Sequence, residues 1–144
     1  MERYEDFFAK CHRLLPADGR MMVHSIVHGN KDTIQPGQPE IDLDLIHFMK
    51  FIAKEIFPGG QVPPREAVLS HAAQAGFRLV QLQSLRPHYA RTLDCWAENL
   101  TRARDQALEL VPENIYERYM RYLTGCAHYF RTGHCDVVQF TFAK

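Results

Sequence analysis

Three residues in this 144-residue chain combine reactive side chains with positions suited to a site: His24, Tyr89 and Cys126. An imidazole and a phenol supply donors that can hold a small anion. Aromatic rings beside them stabilise a cation through their negative faces. His24 lies on a strand-like run and Tyr89 opens a helix after another, which places both at the edge where open α/β sheets hold ligands. Each also has a plainer reading, His24 as a hydrogen-bonded sheet histidine and Tyr89 as helix-start packing. Cys126 follows Gly125 in a helical stretch where Tyr119, Leu123, Cys126 and Phe130 share a face. A nucleophilic thiol needs a base or a helix N-terminus to lower its pKa. Cys126 sits late in its helix among aromatic residues, so an inert thiol lining an apolar cavity is the reading physics favours. Gly125 costs a helix about 1 kcal/mol relative to alanine, which implies that something packs close to the backbone beside the thiol.

Other chemistry is less well supported. Cys126, His128, His134 and Cys135 are near one another in sequence, but C-x-H and H-C spacings match no zinc pattern, so no metal is expected. Lysine plus arginine total 17 and so do aspartate plus glutamate, giving zero net charge and no basic footprint for nucleic acid. No apolar run is long enough to span a membrane, and no charged-then-apolar leader is present. Cys11, Cys95, Cys126 and Cys135 are scattered without a CxxC, as reduced thiols of a cytoplasmic protein would be.

The elements that must position these residues follow from periodicity. Glu2 to Leu15 reads as a helix with Tyr4, Phe7, Phe8, Cys11 and Leu15 on its apolar face, beginning with neither cap nor preceding loop. Arg20 to Val27 reads as a strand apolar on both faces, like an interior strand of a parallel sheet covered on each side. After a polar loop, Ile41 to Phe57 reads as a helix whose apolar arc is wider than a surface helix presents. Either a core position or the wall of an apolar channel accounts for that arc. A short helix follows Pro63-Pro64, then a strand over Phe77 to Leu85. A long helix from Tyr89 to Val111 comes next, with Leu93, Trp96, Leu100, Ala103, Ala107 and Leu110 as a single seam. The last seven residues of the Tyr116 to Phe142 stretch alternate as a half-buried strand does. The order helix, strand, helical insert, strand, two helices, strand indicates an α/β fold, the second half of a doubly wound sheet.

Specific segments extend this reading. Phe7-Phe8-Ala9-Lys10-Cys11 through Leu14-Leu15-Pro16-Ala17-Asp18-Gly19-Arg20-Met21, then Phe48-Met49-Lys50-Phe51-Ile52 with Glu55-Ile56-Phe57-Pro58-Gly59-Gly60, and finally Tyr122-Leu123-x-Gly125-Cys126 with Asp136-Val137-x-Gln139-Phe140-Thr141 occur in order. Together they resemble the mycolic-acid and fatty-acid cyclopropane synthases, a family of S-adenosylmethionine-dependent methyltransferases, over essentially the whole chain. The resemblance implies the C-terminal half of a Rossmann-like class I methyltransferase fold, with three strands and a helical lid insert at about residues 41–75.

It also implies a reaction: methyl transfer from S-adenosylmethionine to a cis double bond of a long-chain acyl lipid, followed by ring closure of a carbocation with bicarbonate as base. Carried over by position, His24, Ile26 (through its backbone) and Tyr89 look like bicarbonate ligands, and Cys126 like the family's active-site cysteine. The expected partner is an unsaturated acyl lipid, presented by an acyl carrier protein or a membrane surface, with the enzyme cytoplasmic or peripheral to the membrane. The sequence departs from the family in having no strand followed by a GxG turn. The cofactor-binding half and a bicarbonate-binding glutamate are therefore expected upstream of this chain, which would be inactive alone. A non-catalytic acyl-binding remnant is the competing expectation. A free-standing enzyme with Cys126 as nucleophile is a third.

Overall fold

The structure, a computed structural model, describes residues 2–144 and the side chains of 4–144. Contacts divide the chain into two compact units. Met1–Gly29, Val62–Leu85 and Asp136–Lys144 form a sheet unit; Asn30–Gln61 and Arg86–Cys135 form a helical unit.

The sheet unit holds helix α1 (Glu2–Leu14), strand β1 (Arg20–His28), helix α3 (Arg65–Gln74), strand β2 (Arg78–Ser84) and strand β3 (Cys135–Ala143). The strand order is β1-β3-β2, so the last strand in sequence lies in the middle. β2 runs antiparallel to β3, from Arg78 opposite Ala143 to Ser84 opposite Val138, with a register irregularity between Leu79 and Gln81. A central strand must bury both faces, and β3 does so: Val137, Val138, Phe140 and Phe142 are all buried. Val138, Phe140 and Phe142 meet Phe8 of α1, Val68 and Ala72 of α3, Phe77 and Val27 in one core. Phe8 packs edge-on against Phe142 with ring centroids 5.8 Å apart. Lys144 closes the unit, its N–H donating to the Gly19 carbonyl at 3.0 Å and its ammonium to the Leu15 carbonyl at 2.7 Å.

β1 differs from the sequence expectation. It is an edge strand paired with β3, and only one of its faces is covered. Met21, Val23 and Val27 pack into the core, while Met22, His24 and Ile26 are exposed. Apolar residues on both faces had suggested two covering layers; the described residues supply one. Phe7, expected on the apolar face of α1, is also 46% exposed.

In the helical unit, α2 (Leu43–Phe51) begins where the Asp42 carboxylate accepts the Leu45 N–H at 2.7 Å. It continues as one π-helical turn, Ile52–Ile56, closed by the Phe57 N–H bonding back to the Ile52 carbonyl at 2.9 Å. Helices α4 (Arg86–Arg102), α5 (Arg104–Leu110) and α6 (Glu113–Thr132) complete the unit. α4 lies along α6. Its buried residues are Ala90, Leu93 and Ala97, two of them small enough for close helix approach. The expected seam is therefore corrected. The helix breaks at Ala103 (φ −95°, ψ 20°), and Trp96 and Leu110 are 50% and 84% exposed. Leu93 alone of the seam is fully buried, and the other buried positions of α4 are the alanines at 90 and 97.

An edge strand with exposed apolar residues invites association. The isolated chain is expected to self-associate at micromolar concentration, and Met22→Lys to reduce this, as read by sedimentation velocity. A monodisperse monomer that melts cooperatively would contradict the expectation.

Candidate functional site

His24 and Ile26 belong to the sheet unit; Tyr89 and Cys126 belong to the helical unit. On β1, the His24 Nδ1 lies 3.3 Å from the Gln139 side-chain amide nitrogen, which donates to it across to β3 and orients the ring. The Ile26 carbonyl accepts the Ser25 hydroxyl at 3.0 Å. Alternation along β1 puts His24 and Ile26 on the same exposed face.

Tyr89 sits in the first turn of α4 and rests its ring on Phe130 of α6, centroids 6.2 Å apart. Phe130 lies one turn beyond Cys126. The Cys126 thiol is mostly buried, and its pKa is pushed up to about 12, first by desolvation and then by Cys135. The Tyr122 phenol is raised as well, by burial and by its neighbours Cys126 and Tyr119. The sulfur thus has no activation as a nucleophile from its surroundings, in keeping with the aromatic setting read from the sequence.

The notch implied by Gly125 is filled by Phe48 of α2. A Cβ placed on Gly125 would fall against that ring, 2.6 Å from Cζ. Phe48 also tilts against Tyr129 at 4.9 Å, and Phe57 meets Tyr122 edge-on at 5.7 Å. Arg121 lies over the Phe51 ring at 4.3 Å, and Arg118 pairs with Glu55 at 3.2 Å. These contacts seat α2 and its π turn on α6. The rest of the α2 arc stays accessible: only Leu45 is buried, Ile46, Phe48, Phe51, Ile52 and Ile56 are half-buried, and Met49 and Phe57 are exposed. A plain core helix would bury more.

The loop before α2 is fixed by His134, weighed from the sequence only as a metal ligand, and by Thr132, Gln35 and Thr33, which the sequence did not single out. His134 donates from Nε2 to the Pro39 carbonyl at 2.8 Å, and the Thr132 hydroxyl sits 2.7 Å from its Nδ1. The Gln35 N–H donates to the Thr132 carbonyl at 2.9 Å, and the Thr33 hydroxyl to the Gly133 carbonyl at 3.0 Å. His134 is thereby committed to structure. Among the described residues no three histidine, cysteine or carboxylate side chains converge. The signal available in the sequence was the pair Thr132-x-His134 flanking a glycine at a helix end.

The model of the mycolic acid cyclopropane synthetase family matches residues 1–140. The chain belongs to that family. It is 50% identical over 143 residues to the cyclopropane mycolic acid synthase MmaA2 of Mycobacterium tuberculosis, and 48% identical over 144 residues to the methoxy mycolic acid synthase MmaA3 of the same organism. Each alignment covers 99% of this chain; the chain spans about half the length of these curated relatives. The solved MmaA2 structure superposes with a TM-score of 0.93 at 51% identity, covering 99% of this chain and 50% of that one. The cyclopropane synthase CmaA1 complexed with SAH and CTAB gives 0.90 at 49% identity, with the same coverage. A phosphoethanolamine N-methyltransferase from Haemonchus contortus shares the fold alone, at 14% identity and a TM-score of 0.75. The fold is thus α/β and corresponds to the C-terminal half of the methyltransferase fold.

β2 passes to α4 through Leu85 alone, and β1 leads into a long loop, so among the described residues no strand enters a helix through a glycine-rich turn. A cleft of about 410 Å³ between α4 and α6 is lined by three arginines, a poor setting for a sulfonium cation.

Two measurements check this site. Gly125→Ala should lower stability by roughly 1 kcal/mol, because overpacking against Phe48 outweighs the gain in helix propensity. Combined with Phe48→Ala, the same change should become neutral or stabilising, which a double-mutant cycle of denaturant melts would reveal. Native Cys126 should resist iodoacetamide at pH 7–9 and react quickly in denaturant, with exposed Cys95 as the internal comparison. Fast labelling of Cys126 in the folded chain would refute the burial account.

Proposed function

We propose that this chain supplies the lipid-facing and anion-holding residues of an S-adenosylmethionine-dependent transfer to a cis double bond of a long-chain acyl lipid, forming a cyclopropane. What supports the reading most is the α2 arc: a long row of large apolar side chains, left mostly accessible, in a chain half identical to cyclopropane mycolic acid synthases. An acyl chain has the apolar surface to cover that arc at about 25 cal/mol per Å² removed from water. Aromatic rings at Phe48, Phe57, Tyr122 and Tyr129 offer electron-rich faces to a positively charged reaction centre and exclude water from it.

In this reading His24, the Ile26 backbone and Tyr89 hold a bicarbonate that accepts the proton released at ring closure. Imidazole and phenol are suited to bind that anion, and the Gln139 contact that orients His24 supports the assignment. Cys126 works as a protonated thiol that packs beside the lipid, not as an attacking thiolate. The cofactor supplies the activated methyl group. The segment that binds it is separate from the residues described here, and the chain alone is inactive. The acyl substrate is presented by a carrier protein or a membrane surface.

Titration of the isolated chain tests both parts. S-adenosylmethionine should give no heat of binding by isothermal titration, while a cis-monounsaturated acyl chain should bind. Tight cofactor binding would overturn the division of labour. Absence of acyl binding would overturn the lipid-wall reading. Co-expression with a segment carrying the strand, glycine-rich turn and helix should restore methyl transfer from labelled cofactor to lipid. His24→Ala and Tyr89→Phe should then cut turnover by about 10²-fold or more without weakening acyl binding. Acyl binding with no transfer in the restored pair would favour the non-catalytic remnant.

A further inference from the structure

The cleft at the start of α4 has no part in the proposed methyl transfer. Three guanidiniums line it: Arg86 and Arg91 from α4, and Arg131 from α6. One carboxylate, Asp94, faces them, with Gln35 and Phe130 completing the wall. A chain of zero net charge thus concentrates an excess of positive charge in one depression. Two of the guanidiniums are held in place. Arg86 donates from Nη1 to the Thr33 carbonyl and lies against Gly133, where a Cβ would come within 2.5 Å of the same nitrogen. Arg131 pairs with Asp94. Arg91 enters none of the ion pairs among the described residues. The first turn of α4, a helix of 17 residues, adds the positive end of its dipole.

We propose that this cleft binds a phosphoester. Arginines present planar, fixed donor sets that match phosphate oxygens, and two that are already anchored lose little freedom on binding. The volume, about 410 Å³, exceeds a phosphate group several-fold, leaving room for the group esterified to it. Phe130 and Ala90 give that group apolar surface; Gln35 gives it a hydrogen-bonding side chain. The site rests on residues of the helical unit alone and does not depend on the methyl-transfer reading.

The test is isothermal titration of the full chain with glycerol 3-phosphate, with glycerol as control. Binding should appear for the phosphoester only and weaken as salt rises. Arg91→Ala, an exposed position whose loss should leave the far-UV circular dichroism unchanged, should weaken it about tenfold. Asp94→Asn should tighten it. Flotation with phosphatidylcholine vesicles, with and without phosphatidylglycerol, identifies the source. Arg91-dependent flotation on anionic vesicles assigns the phosphate to a lipid headgroup; binding of glycerol 3-phosphate without flotation assigns it to a soluble phosphoester. Equal behaviour of glycerol and glycerol 3-phosphate, or equal affinity of the wild type and the folded Arg91→Ala protein, overturns the proposal.

Discussion

The organisation of the helical unit depends on how α6 ends. Gly133 takes a left-handed conformation (φ 88°) and stops the helix. Its missing side chain leaves space that the Thr33 carbonyl and the Arg86 guanidinium occupy. A helix end leaves carbonyls without partners, and here the Thr132 and Gly133 carbonyls accept from Gln35 and Thr33. One glycine therefore joins three segments: the end of α6, the loop that leads to α2, and the start of α4. The His134 ring extends the same connection to Pro39. Each such buried hydrogen bond contributes only about 1 kcal/mol, but together they decide where α2 starts and so where its apolar arc faces.

With α2 placed, the thiol's environment follows. Phe48 enters the Gly125 notch, Phe57 reaches Tyr122, and Cys126 lies on the same helix between Tyr122 and Tyr129. Desolvation then sets the chemistry, since a thiolate would be expensive in such surroundings. A reactive cysteine and an inert one are opposite products of environment, and burial decides for the inert one here. The accessible breadth of the α2 arc and the inertness of the sulfur are two results of one packing arrangement.

Much of this was readable in the sequence. Alternation in Asp136 to Phe142 identified β3, and the 3-4 spacing of Leu123, Cys126 and Phe130 identified α6. Gly125 correctly implied a close neighbour, because a glycine weakens a helix interior and fits where a side chain has no room. What escaped was set by tertiary context. Periodicity does not weigh a buried alanine against an exposed tryptophan, so Trp96 and Leu110 read as inward although the buried residues of α4 are Ala90, Leu93 and Ala97. Nor can it report how many layers cover a strand, so β1 was expected to be enclosed, while Met22, His24 and Ile26 face outward. Arg131 of the α4 cleft is distant in sequence from Arg86 and Arg91, and a neutral total charge concealed the cluster. Of the candidate site, the sequence singled out His24, Tyr89 and Cys126 by their side-chain chemistry; their distribution between a sheet unit and a helical unit required coordinates.

The π turn at Ile52–Ile56 has an evolutionary implication. Such a turn accommodates one residue more than an α-helical turn, so losing one codon there would leave a continuous helix. Every side chain beyond it would swing by about 100°, carrying Phe57 off Tyr122. Length variation at this point would therefore re-aim the residues beyond the turn without unfolding the helix, a single-step route by which descendants of one scaffold diverge in the surface this segment presents.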